Sequence, residues 1–176
     1  MIKSRVVGRG MKIAGAGIAC ALLALGGWLF VTRYYLPLRD VRPIVKLLEE
    51  GTPESVEAAS GMIRGKRWER YADGRRGYSR VEHRISIRGV GFEKVKQSIL
   101  KVLASSDDQQ TLDHMFCNIG LLAEEGHTGF RTDEDGAIIR KAVERYNAKQ
   151  GEYFRYTVTT NTNGAYSLFR SLPPSY

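Results

Sequence analysis

Two groups of side chains in this sequence could do chemistry. The first is His114 and Cys117, three positions apart. On a helix that spacing stacks an imidazole near a thiol, either as two metal ligands or as a base beside a nucleophile. The second is Arg64–Arg88, which carries Arg64, Lys66, Arg67, Arg70, Arg75, Arg76, Arg80, Arg84 and Arg88 against Glu69, Asp73 and Glu82. Trp68, Tyr71 and Tyr78 are interleaved with these charges. Arginine with aromatics suits an acidic protein surface or an anionic lipid surface. It also suits single-stranded nucleic acid.

The remaining candidates fail on spacing. The histidines are His83, His114 and His127, with no pair at i, i+4, and no CxxC or HExxH is present. No metal and no cofactor is predicted. Asp133, Asp135 and Gly136 imitate part of a calcium loop, but Arg131 and Ala142 occupy its first and last ligand positions. Cys20 and Cys117 lie in unlike segments, so no disulfide is expected. Asp135-Gly136 with Ala142-Val143 and Tyr146 is slightly similar to the end of a peptidoglycan-binding helical repeat. The Gly and Thr between that repeat's halves are absent here, so no function is carried over. No catalytic constellation is assigned. The enzyme alternative is a membrane-anchored enzyme acting on envelope material near His114 and Cys117. On a helical wheel both project opposite the stripe of Leu112, Ile119 and Ala123. The preferred reading there is a helix covered on both faces, with a buried thiol and a hydrogen-bonded histidine.

What must position these residues begins with Ile13–Thr32, twenty residues without a charge between Lys12 and Arg33. As a helix they span about 30 Å, the thickness of a bilayer's hydrocarbon core. The run is longer than a signal peptide's apolar region and lacks an A-x-A cleavage pattern. Trp28, Tyr34 and Tyr35 form an aromatic belt at its end. The predicted organisation is a basic cytoplasmic tail over 1–12, a transmembrane helix over 13–35 and a soluble domain over 36–176. Lys3, Arg5, Arg9 and Lys12 hold the short tail inside, so the domain is expected outside the cytoplasm. That is a single-pass protein of the cell membrane. In a Gram-negative cell it would lie in the inner membrane with a periplasmic domain. Gly15 and Ala19 form a small-xxx-small pair through which two such helices could associate.

Of 27 basic residues, 23 lie beyond the tail together with all 19 acids. The net charge there is a mild +4, and it does not argue for nucleic acid. Nucleic acid also requires a cytoplasmic domain, so it is set aside. The partners expected are the bilayer and another protein.

The soluble part reads as two helices, a hairpin, three helices and a hairpin. Leu36–Asp40 reads as a short exit segment, and Val41–Glu50 as a helix ended by Gly51. Thr52-Pro53 starts a second helix that stops at Gly65. Arg67–Arg88 predicts a hairpin with its turn over Asp73–Gly77. Three helices follow: Phe92 to Ala104, Gln109 to Glu125, and one capped by Thr132 and Asp135. A hairpin over Tyr153–Leu172 turns at Asn161–Gly164. The predicted fold is α+β, with an antiparallel sheet of two hairpins covered by helices. The predicted binding surface is Arg67, Trp68, Arg70, Arg75, Arg76, Tyr78, Arg80, Arg84 and Arg88. The predicted function is that of an assembly subunit, scaffold or inhibitor of an envelope activity, acting through protein binding.

Overall fold

The computed structural model describes residues 17–18, 20–70, 76–80, 87–124, 129–151 and 154–171. It is mostly helical. Helix α1 runs without a break over Cys20–Glu50 and contains a window long and apolar enough to cross a membrane. Leu36–Asp40 is therefore helical rather than an exit segment. Pro37 lacks an N–H and cannot bond to the carbonyl four residues back, which would ordinarily end a helix there. The turn before it widens instead. Val31–Tyr35 is π-helical, and the Leu36 N–H bonds to the Val31 carbonyl, five residues back. That bulge absorbs the missing donor.

The two halves of α1 meet different surroundings. Ile18, Leu22, Leu23, Leu25, Trp28 and Phe30 are all exposed. Beyond the bulge, Val41, Ile44 and Leu48 are fully buried, at i, i+3 and i+7. One helix is thus an apolar rod at its start and a core element at its end.

Helix α2 covers Pro53–Arg64. Thr52 caps it, its hydroxyl accepting from the Ser55 N–H at 3.2 Å, with proline at the first turn. The link from α1 is two residues long, so α2 runs back antiparallel to it. Strands β1 (Lys66–Arg70) and β2 (Arg76–Arg80) follow. Helix α3 covers Gly89–Ser105 and packs along α1. A Cβ on Gly91 would lie 2.7 Å from the Pro37 carbonyl oxygen, so only glycine admits this approach. Helix α4 covers Gln109–Glu124 and packs on α2. Helix α5 covers Asp133–Ala148 and packs on α3. Its predicted capping box is present, and the buried Asp135 also takes the Lys96 ammonium at 3.0 Å. Arg145 on α5 donates to the Leu103 and Ser106 carbonyls, satisfying the open end of α3.

Strands β3 (Tyr156–Thr160) and β4 (Tyr166–Arg170) pair antiparallel. Asn161 Oδ1 organises their turn, accepting from the N–H groups of Asn163 and Ala165 at 3.0 and 2.9 Å. Among the described residues the expected single sheet is not formed. The two hairpins are separate two-stranded sheets. Hairpin β3–β4 rests on α4 and α5, while β1 touches α2. The core is helix on helix, built from residues such as Ile63, Val95, Leu103, Phe116 and Ile139.

Candidate functional site

Both described ends of the cationic segment lie near the bulge of α1. From Arg33 to Glu50 the helix α1 rises about 25 Å, and the twelve residues of α2 return about 18 Å of that. Strand β1 therefore begins near the level of Leu38 and Arg39. The other end of the segment returns to the same place. Arg88 precedes α3, and Gly89 sits beside the bulge, where an added Cβ would lie 4.0 Å from the Arg33 carbonyl oxygen. Gly89 has φ of +53°, a left-handed conformation that favours glycine.

In the hairpin register, Lys66 lies opposite Arg80, Trp68 opposite Tyr78 and Arg70 opposite Arg76. Arg67 faces Ser79, and Glu69 faces Gly77. Like charges at directly opposed positions destabilise a hairpin. The strands take in Arg76 and Gly77, which the sequence assigned to the turn. Of the predicted surface, Arg67, Trp68, Arg70, Arg76, Tyr78 and Arg80 stand on this hairpin, and Arg88 is exposed beside α3. Arg75 and Arg84 lie outside the described residues, as do His83, His127, Gly15 and Ala19.

His114 and Cys117 share α4 but turn to different neighbours, and no hydrogen bond joins them. Cys117 Sγ lies 3.8 Å from the Tyr156 hydroxyl. The Tyr156 hydroxyl donates to Asp113 Oδ1 at 2.7 Å. Arg170 Nη1 reaches the same oxygen at 3.5 Å, and its guanidinium covers the rings of Phe154 and Tyr156. Burial, reinforced by the bond to Asp113, holds the Tyr156 phenol far above its ordinary range. A tyrosine kept neutral this way is a strap between hairpin and helix. The backbone of the same residue is held too: Asn147 Oδ1 accepts from the Tyr156 N–H at 2.9 Å, and Asn147 Nδ2 donates to the Tyr156 carbonyl at 2.8 Å. One side-chain amide thereby substitutes for a neighbouring strand.

His114 is buried on the α2 side of the helix, where the Arg64 guanidinium donates to its carbonyl at 3.4 Å. Its Nε2 is buried with no hydrogen-bond partner among the described residues, so the expected satisfied histidine is not found. Burial, with the Arg64 charge second, lowers its pKa. Below it, Arg64 Nε donates to Asn118 Oδ1 at 3.3 Å, and Asn118 Nδ2 donates to the Ser60 hydroxyl at 2.7 Å. Among the described residues no three of His, Cys, Asp or Glu gather to hold a metal ion.

Spacing in the sequence did not point to Asp113, Tyr156, Arg170 or Arg33. Asp113 and Tyr156 are 43 residues apart, and no local pattern links them. Protein-family models, curated proteins and solved structures give no match to this chain.

Proposed function

We propose that this is a single-pass membrane protein with its N-terminal tail in the cytoplasm and its domain outside. The domain binds another protein and serves as an assembly subunit, scaffold or inhibitor of an envelope activity. The anchor reading is supported by α1, whose apolar first half is exposed and whose second half is core. A helix continuous through the bulge holds the domain close to the bilayer. The partner is then a protein of the same membrane, with an acidic surface at headgroup level.

The observation that carries the binding surface is the register of β1–β2. The register sets Lys66 opposite Arg80 and Arg70 opposite Arg76, like charges that disfavour pairing in general and that an acidic partner would offset. Trp68 opposite Tyr78 adds the aromatic and arginine chemistry that dominates interface energetics.

The test is affinity purification of the full chain from membranes in mild detergent, comparing wild type with Arg76→Glu/Arg80→Glu. A protein recovered with wild type at low salt, and several-fold depleted with the variant or at high salt, is the expected result. Equal recovery from both chains at both salt concentrations contradicts the reading.

A further inference from the structure

Beside the widened turn of α1 lies a cleft of about 350 Å³, lined by Thr32, Arg33, Pro37, Arg88 and Gly89. Its position follows from three features already described. The π-turn widens α1 just before Pro37. The left-handed Gly89 brings the chain against the Arg33 carbonyl. Gly91 lets α3 close on Pro37 just beyond it. Two arginines therefore line one opening from positions 55 apart in sequence. Both Arg33 and Arg88 are exposed, and neither makes an ion pair or side-chain hydrogen bond among the described residues. Arg39, six residues along α1 from Arg33, is instead paired with Asp40 at 3.0 Å.

The depth of the cleft decides its ligand. Trp28 and Tyr34–Tyr35 flank Arg33 on the exposed part of α1, where amphipathic rings mark the membrane interface. Phospholipid phosphates lie at that depth. A planar guanidinium binds phosphate oxygens in pairs, and two can grip one phosphate. We propose that this cleft is a binding site for the phosphate of an anionic phospholipid, held between Arg33 and Arg88. The inference rests on the membrane-anchor reading. It deepens that reading by giving the domain a second hold on the bilayer, from α3 as well as α1. With both holds in place the domain cannot swing about its anchor, and hairpin β1–β2 stays at one height.

The experiment reconstitutes the full chain in nanodiscs of phosphatidylcholine alone or with phosphatidylglycerol. Lipid retained on the protein is counted by native mass spectrometry after the discs are stripped. Wild type is expected to keep phosphatidylglycerol several-fold over its share in the disc. Arg33→Gln/Arg88→Gln is expected to lose that preference. Arg39→Gln, with the same loss per arginine but outside the cleft, keeps it. Arg88→Lys preserves the charge and retains part of it, which guards against a misfolded double variant. No preference in wild type, or the same preference in the double variant, overturns the site. Loss of the preference on adding inorganic phosphate assigns the cleft to a soluble anion and overturns the lipid assignment. A chain that never enters the nanodisc overturns the anchor and the cleft together, whereas one that enters without preference overturns the cleft alone.

Discussion

At the residue scale, the two histidine and tyrosine environments make opposite pH predictions. His114 is buried with its pKa lowered, so the folded chain holds it neutral. The unfolded chain protonates it near pH 6.5. Stability present above that pH is therefore lost as pH falls through the depressed folded value. Urea unfolding between pH 7 and pH 5 should show this decline, and His114→Gln should flatten it. Tyr156 has the reverse sign. Its pKa is raised by burial and by Asp113, so the fold keeps the phenol neutral while the unfolded chain ionises near pH 10. Stability should drop as pH climbs above about 10, less steeply in Tyr156→Phe. At neutral pH that variant loses the 2.7 Å bond to Asp113 and should cost about 1 kcal/mol by urea titration. Neither environment was legible in the sequence. The helical wheel put His114 and Cys117 on one side of α4. It did not indicate that α2 would cover one residue and β3 the other, because that depends on which elements pack there.

At the element scale, the legible features were the ones decided within a few residues. Thr52-Pro53, the Thr132–Asp135 box and the Asn161 turn all formed as read, since each bonds a side chain to backbone close by. Pro37 misled because its lost donor was absorbed by a turn upstream, not by a break. The two hairpins did not merge because period-two patterning shows that a strand pairs, not which sheet it joins. Two glycines separate close approach from mere helix weakness. Gly91→Ala should overpack the α1–α3 contact and cost about 1–3 kcal/mol. Gly120→Ala, where an added Cβ meets nothing within 4 Å, should instead stabilise by about 0.4–1 kcal/mol. Thermal melts of the detergent-solubilised chain check both. The hairpin offers a sharper prediction. Arg76→Glu and Arg80→Glu turn like-charge facing pairs into opposite ones, each gaining about 0.2–1 kcal/mol. The variant should therefore melt higher while losing its partner. A lower melting temperature accompanying the lost association would mean that the register is not the reason for either.

At the scale of the whole molecule, α1 is one continuous helix with two kinds of surroundings. Its first half is apolar and exposed and its second half packs against α2 and α3, so removing the whole helix would open the core. A signal sequence cut near Tyr35 would leave Pro37, Val41, Ile44 and Leu48 to hold the domain together without the turn that leads into them. The apolar span was legible from length and charge alone. Its fusion to the core was not, because nothing local distinguishes a helix that stops at an interface from one that continues through it. Intact-mass measurement on the protein that remains in the membrane pellet after alkaline extraction tests this claim most directly. The chain is expected to stay in the pellet at 19.7 kDa. A released fragment starting after the aromatic belt would contradict it.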